Sequence, residues 1–146
     1  MPADAAHGKT GYCLRPPEAE DEWRAYHGIR RRVFNLPRPE LEPSSESHPL
    51  VLFCGQVPIG AVQIDRLDDV KAALRLVAID PACQGNGHGR LMLRKAEAFV
   101  RNMGCSHAVV YATPEAAGFY ADSGYDEDDW DPVCMGGIVQ MQKAVG

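Results

Sequence analysis

The chain has 146 residues, a formal net charge of −5, 45% apolar residues and 24% charged ones. That is one ordinary globular domain with a core of its own. The acidic balance argues against nucleic acid as a partner, because a phosphate backbone wants a basic face. No apolar run approaches the length that spans a bilayer, and the opening MPADAAHGKT lacks the apolar segment of a secretion signal, so no membrane partner is expected. Five cysteines, at 13, 54, 83, 105 and 134, form no CxxC pair. An odd count without a signal reads as reduced thiols in a cytoplasmic protein, with buried, inert sulfur as the default for Cys83 as well.

Residues 1–10 read as a disordered tail and 11–146 as a single domain. Residues 12–15 suit a first strand, stopped by Pro16 and Pro17. From 18 to about 34 the pattern is helical. Trp23, Tyr26, Ile29, Arg30 and Val33 fall on or near one stripe, acids crowd the start, and Arg30, Arg31 and Arg32 the end, as the helix dipole favours. The arginine triplet is expected to be a solvated helix end. Residues 36–49 carry four prolines and three serines and read as a loop, a candidate wall for a binding site. Strands at 50–54 and 59–66 flank a turn at 55–58 as a hairpin, with Val62 and Ile64 alternating against Ala61, Gln63 and Asp65.

The next stretch organises the chain. Residues 74–79 form a strand with Leu74, Leu76 and Ala78 on one face and Arg75, Val77 and Ile79 on the other. Five of the six are apolar, so the strand is expected to be covered on both sides, until Asp80-Pro81 ends it. A glycine-rich turn follows, then a helix running to Gly104. Met92, Ala96, Phe99, Val100 and Met103 form its apolar face, and Arg90, Arg94, Lys95, Glu97 and Arg101 lie largely off it. A strand at 107–113, a helix at 114–123 closed by Gly124, an acidic strand at 125–130 and a final strand at 138–143 complete the order β-α-β-β-β-α-β-α-β-β. The acidic run Asp126–Asp129 with Asp131 reads either as a lure for a cationic amine or, more plainly, as a solvated loop.

The chemistry lies in Gln84-Gly85-Asn86-Gly87-His88-Gly89, where strand becomes helix. Glycines there allow positive φ and bare backbone, and the first N–H groups of a helix suit a phosphate. Arg90 and Arg94, where acids are usual, also fit an anion nearby. No Gly-Lys-Ser/Thr follows, so a nucleoside-triphosphate loop fails. A dinucleotide loop fits poorly: the glycines are spaced G-x-G-x-G, four residues separate Asp80 from Gly85, and no acid stands near residue 104. A surface turn without a ligand remains the plain alternative.

Gln84, Gly87 and Gly89 fit the pattern Q/R-x-x-G-x-G/A, which resembles the pyrophosphate loop of the GNAT superfamily of N-acetyltransferases. About thirty residues on, Phe119-Tyr120-Ala121-Asp122-Ser123-Gly124-Tyr125 resembles that family's F-Y-x-x-x-G-F/Y signature. The resemblance implies an α/β fold, a splayed mixed sheet flanked by helices, and acetyl-CoA as cosubstrate with no metal. It implies transfer to a primary amine by direct attack, the acceptor being a small molecule, peptide or protein, with a homodimer as a possible assembly. Backbone N–H groups of Val77, Ala78 and Ile79 would hold the acetyl carbonyl. Gln84, Gly85, Asn86, Gly87, His88 and Gly89, with Arg90, would hold the pyrophosphate. Phe119 would be core or a wall for the pantetheine arm, and Thr113 stands where relatives carry Asn, offering a hydroxyl to the cofactor. Tyr120 would protonate the leaving thiolate, against the plain reading of a packed ring. The general base stays open. The family's strand glutamate is absent, leaving Asp65, His48, Glu42, Glu46 or a water chain. The rival class is a non-catalytic acyl-CoA sensor of the same fold.

Overall fold

The computed structural model describes residues 11–34, 47–132 and 136–146. The expected tail at 1–10, most of the proline-rich stretch with Glu42 and Glu46, and Cys134 lie outside the described residues. Ten elements follow in chain order: β1 (Tyr12–Arg15), α1 (Glu20–Phe34), β2 (Ser47–Cys54), β3 (Val57–Arg66), β4 (Lys71–Ile79), α2 (His88–Asn102), β5 (His107–Ala112), α3 (Pro114–Asp122), β6 (Asp126–Glu127) and β7 (Val139–Ala144).

Local chemistry explains most boundaries. Gly55, at φ +63°, makes the tight turn from β2 to β3. Residues 47–49, expected in the loop, belong to β2. Pro49 is tolerated because β1 pairs with β2 only as far as Arg15↔Val51, so its missing N–H faces no neighbour there. The Asp68 carboxylate accepts from the N–H groups of Val70 (2.8 Å) and Lys71 (2.7 Å), an Asx turn that starts β4 three residues earlier than the apolar run suggested. The expected acidic strand shrinks to Asp126–Glu127. Beyond it the chain turns inward: the Trp130 indole donates to the Val110 carbonyl at 3.3 Å, and Gln140 exchanges two hydrogen bonds with the Asp131 backbone.

The strands form one sheet in the order β1-β2-β3-β4-β5-β7-β6, antiparallel throughout except for the parallel pair β4–β5. α2 and α3 cover one face, over a core that includes Leu52, Val62, Ile64, Leu74, Met92, Val100 and Val110. α1 covers part of the other, where Tyr26 and Ile29 meet Val51, Phe53, Ala61 and Ala78.

Two features of β4 create the site. Leu76 has φ +53°, and the register against β3 slips between Ala61 and Gln63. This bulge inserts a residue and reverses the alternation beyond it. The expected faces are therefore corrected: Leu74, Val77 and Ile79 all lie on the α2 side, and Ala78 faces α1. The β4–β5 ladder also stops at Leu74↔Val110, while β5 stays paired with β7 as far as Ala112↔Val139. Past Leu74, β4 is held by β3 alone, and the sheet opens into a V.

Two charged residues are more buried than expected, and a third, Arg32, exposed at its helix end as expected, is paired. Glu97, placed off the apolar face of α2, is 5% exposed, and Arg30, placed at a solvated helix end, is 2% exposed, bonded to the Tyr26 hydroxyl. Arg32 pairs with Asp80 at 2.9 Å, tying the end of α1 to the end of β4. Among the described cysteines Cys105 is buried, Cys83 half-buried, and Cys13 and Cys54 exposed. No helix among the described residues is long and apolar enough to cross a membrane.

Candidate active site

A cleft of about 960 Å³ opens beside the splay, on the face covered by α2 and α3. Val77 and Ile79 from β4 line it, together with all six residues of the turn 84–89. Arg90, Leu91 and Arg94 of α2 form one wall, and Ala116, Phe119 and Tyr120 of α3 the other. Tyr12 from β1 and Val33 from α1 complete it.

The turn is built to be bare and rigid. Asp80 accepts from the Ala82 N–H and starts a single 3-10 turn over Pro81–Cys83. The Gln84 amide donates to the Ile79 carbonyl at 3.0 Å, folding the turn back on its strand. His88 Nδ1 lies 3.0 Å from the Cys83 carbonyl, which only accepts, so Nδ1 carries the proton. Nε2 is then left to accept from the Tyr12 hydroxyl at 2.9 Å. The Gln84 and His88 side chains thus brace the loop. Gly85 (φ +84°) and Gly87 (φ +80°) hold left-handed conformations, with nothing within 4 Å of where a Cβ would stand. Glycine is needed there for the backbone, not for space. Gly89 has no such backbone demand, and a Cβ there would meet the Phe119 ring at 3.4 Å, an ordinary contact.

Gly87 caps α2 without a side chain, the first turn holds no acid, and Leu91 donates the first bond, to Gly87 at 3.2 Å. The N–H groups of His88, Gly89 and Arg90 therefore find no backbone acceptor, at the positive end of a fifteen-residue helix and beside Arg90 and Arg94. The site fits a diphosphate.

Tyr120 stands on the facing wall, 7% exposed, its ring edge-on to Phe119 (5.2 Å) and Tyr125 (5.6 Å). Burial pushes its phenol up to about 12, so it stays protonated across the working range.

Other residues singled out from sequence fall elsewhere. The Ala78 side chain packs towards α1, leaving only its backbone near the splay. Thr113 caps α3, its hydroxyl accepting from the Ala116 N–H at 3.2 Å, and it is not part of the cleft wall. His48 lies in β2 with its ring against Phe99, at 5.3 Å. Phe99 is eleven residues along α2 from His88, about 16 Å by helical rise. Asp65 faces the α1 side, 2.7 Å from Arg75 Nε and accepting from the Gln63 amide at 2.9 Å. Neither base candidate lines the cleft. Sequence reasoning missed Tyr12 and Val33, which come from distant elements and carry no local signal, and Ala116, which helical spacing from Phe119 and Tyr120 in α3 could have found. Leu91 was within reach, being one residue past the turn. Among the described residues no group of three or more His, Cys, Asp or Glu side chains could hold a metal ion.

Residues 14–125 match the model of the Acetyltransferase (GNAT) family, and the chain belongs to that family. It is 37% identical to glucosamine 6-phosphate N-acetyltransferase 1 of Oryza sativa subsp. japonica, over 84% of this chain and 87% of that one. Its fold is similar to a putative N-acetyltransferase from Lactobacillus plantarum, at TM-score 0.75 and 21% identity, covering 92% of this chain and 97% of that one. It is also similar to the PaiA N-acetyltransferase of Thermoplasma acidophilum, solved with coenzyme A, at TM-score 0.58 and 21% identity, covering 84% and 70%.

Proposed function

We propose that this cleft binds acetyl-CoA with its diphosphate on the turn 84–89, and that the chain passes the acetyl group directly to a primary amine with Tyr120 as general acid. The observation that carries the reading is the pairing, across one cleft, of unpartnered helix N–H groups with a tyrosine that burial keeps protonated. Backbone N–H groups of residues 77–79, past the end of the β4–β5 ladder, polarise the acetyl carbonyl. The amine nitrogen forms a bond to that carbon, the C–S bond breaks, and Tyr120 gives its proton to the departing thiolate. A free thiol has a pKa near 8.5, but burial in the same cleft raises it and narrows the mismatch with the phenol. Asp65 is paired with Arg75 and His48 lies against Phe99, so water at the open mouth is the proposed route for the amine's proton, with Asp65 the side-chain alternative on the acceptor's face. Glucosamine 6-phosphate, the acceptor named for the rice relative, heads the amines to assay.

The test is thermal unfolding with and without acetyl-CoA. At about 100 times its dissociation constant a ligand adds roughly 2.7 kcal/mol, a shift of several degrees. Gly89→Val keeps a helical backbone but puts a side chain against Phe119 in the cleft, and is expected to remove the shift while the variant stays folded. No shift in the parent at millimolar acetyl-CoA would overturn the reading.

A further inference from the structure

The residue that opens the V on its other face is an arginine. Leu74↔Val110 is the last β4–β5 pair, so Arg75 and Tyr111 are the first residues beyond it. Ala72 and Leu74 pack towards α2, which turns Arg75 to the opposite face, two residues before Val77 in the cleft. The Arg75 side chain is 42% exposed, yet it is held on two sides. Its Nε lies 2.7 Å from Asp65 Oδ2, and its guanidinium carbon lies 5.7 Å from the centre of the Tyr111 ring. Asp65 is itself fixed by the Gln63 amide. The pair meets through Nε, and neither terminal nitrogen hydrogen-bonds to a described residue. The Asp65 contact is one of charge, since the buried Nε makes no hydrogen bond, and a part-exposed guanidinium with both terminal nitrogens uncommitted can take a carboxylate or phosphate.

We propose that Arg75 is a specificity-determining residue that binds an anionic group on the acceptor, so that the substrate carries a carboxylate or phosphate within a few bonds of its amine. This rests on the acetyl-transfer reading. With acetyl-CoA filling the α2 side of the V, the acceptor meets the carbonyl from the Arg75 side. Two residues along a strand is about 6–7 Å, so a molecule touching Arg75 brings an amine to the backbone of residues 77–79 without needing to be large. Fixing the guanidinium beforehand removes the ordering cost that a free arginine would incur on binding.

The experiment compares amines that differ only in the anionic group: ethanolamine with phosphoethanolamine, and tryptamine with tryptophan. CoA-thiol release is measured for the parent, Arg75→Lys and Arg75→Gln. In at least one pair the parent is expected to prefer the anionic member by about tenfold or more in kcat/KM, carried by KM. Arg75→Gln is expected to erase that ratio and Arg75→Lys to keep part of it, with the acetyl-CoA thermal shift unchanged in both. The phosphate and carboxylate pairs identify which group is read. Equal treatment of both members, or a preference that survives Arg75→Gln, overturns the inference. Calorimetric titration of phosphoethanolamine and tryptophan into CoA-saturated protein needs no turnover. Binding lost in Arg75→Gln keeps the anion site even where neither amine is acetylated, and no binding of either compound overturns it, while the acetyl-transfer reading is tested separately by the acetyl-CoA thermal shift and by transfer to glucosamine 6-phosphate.

Discussion

Tyr120 shows how one residue's surroundings set its chemistry. An exposed phenol loses its proton near pH 10. Here burial holds it to about 12, so the form able to donate persists beyond the range in which a primary amine becomes neutral. Tyr120→Phe keeps the ring contacts with Phe119 and Tyr125. Turnover is expected to fall by about 10²–10⁴-fold while the acetyl-CoA shift is kept, because only the proton donor is lost. A variant as fast as the parent would strike Tyr120 from the mechanism. The pH profile gives a separate check. On the proposed route, in which water takes the amine's proton, kcat/KM should climb with the neutral fraction of the amine and show no decline from Tyr120 up to pH 10.5. A bell with an alkaline limb near 9 would mean a different acid.

The α3 element owes its position to a buried ionic tie. Lys143 of β7 donates to Glu97 of α2 at 3.0 Å and to the Ser123 carbonyl, at the end of α3, at 2.9 Å. The Tyr125 hydroxyl donates to the other Glu97 oxygen at 2.9 Å, and burial together with that carboxylate pushes the Tyr125 phenol far above its ordinary value. Gly124, at φ +100°, leaves room for the Lys143 chain, since a Cβ there would stand 3.2 Å from its Cε. One lysine thus joins three elements behind the ring of Tyr120. Lys143→Met strands a Glu97 side chain that is 7% exposed. We expect a loss of about 2–4 kcal/mol in urea unfolding, below the full penalty for a buried pair because the lysine side chain is 28% exposed. The double variant Glu97→Met/Lys143→Met should recover most of it, since a paired apolar replacement leaves no unpaired charge. A single-variant loss under about 0.5 kcal/mol would show the tie to be ornamental, as most exposed pairs are.

At the scale of the molecule, the buried tyrosines make stability depend on alkali. Between pH 10 and about 12 the folded chain keeps a Tyr120 proton that the unfolded chain has released. The stabilisation is full below pH 10 and is lost as pH rises through about 12, on the order of 2–3 kcal/mol. Tyr125 acts in the same sense. On the acid side Arg15 and the Glu18 N–H hold Glu22 at about 2, so its contribution is present above its ordinary value near 4.5 and fades as pH falls towards 2. The melting temperature should therefore fall from pH 10 to 12, and less steeply in Tyr120→Phe. Identical alkaline limbs in parent and variant would contradict the assigned burial effect.

What the sequence by itself determined was the local and periodic part of the protein. The stripe Met92, Ala96 and Val100 specifies α2 because helical spacing gathers those residues on one face. Val62 and Ile64 against Ala61, Gln63 and Asp65 specify the faces of β3 in the same way. Gly85 and Gly87 mark the turn because their positive φ is a property of the residue type. Tertiary structure decided whatever depends on a neighbour distant in the chain. The bulge at Leu76 arises in pairing with β3, so strict alternation misassigned the faces beyond it. Glu97 looked like a surface acid until Lys143 and Tyr125, 46 and 28 residues away, arrived to bury it. His48 and Asp65 have side chains suited to a base, but only strand pairing decides where they stand, one against Phe99 and the other on the far face beside Arg75. Periodicity records which way a side chain points relative to its own element. Only the packed sheet brings Tyr12, Val33 and Tyr120 to one cleft, because the contacts that position them are made by residues whose separation along the chain leaves no pattern to read.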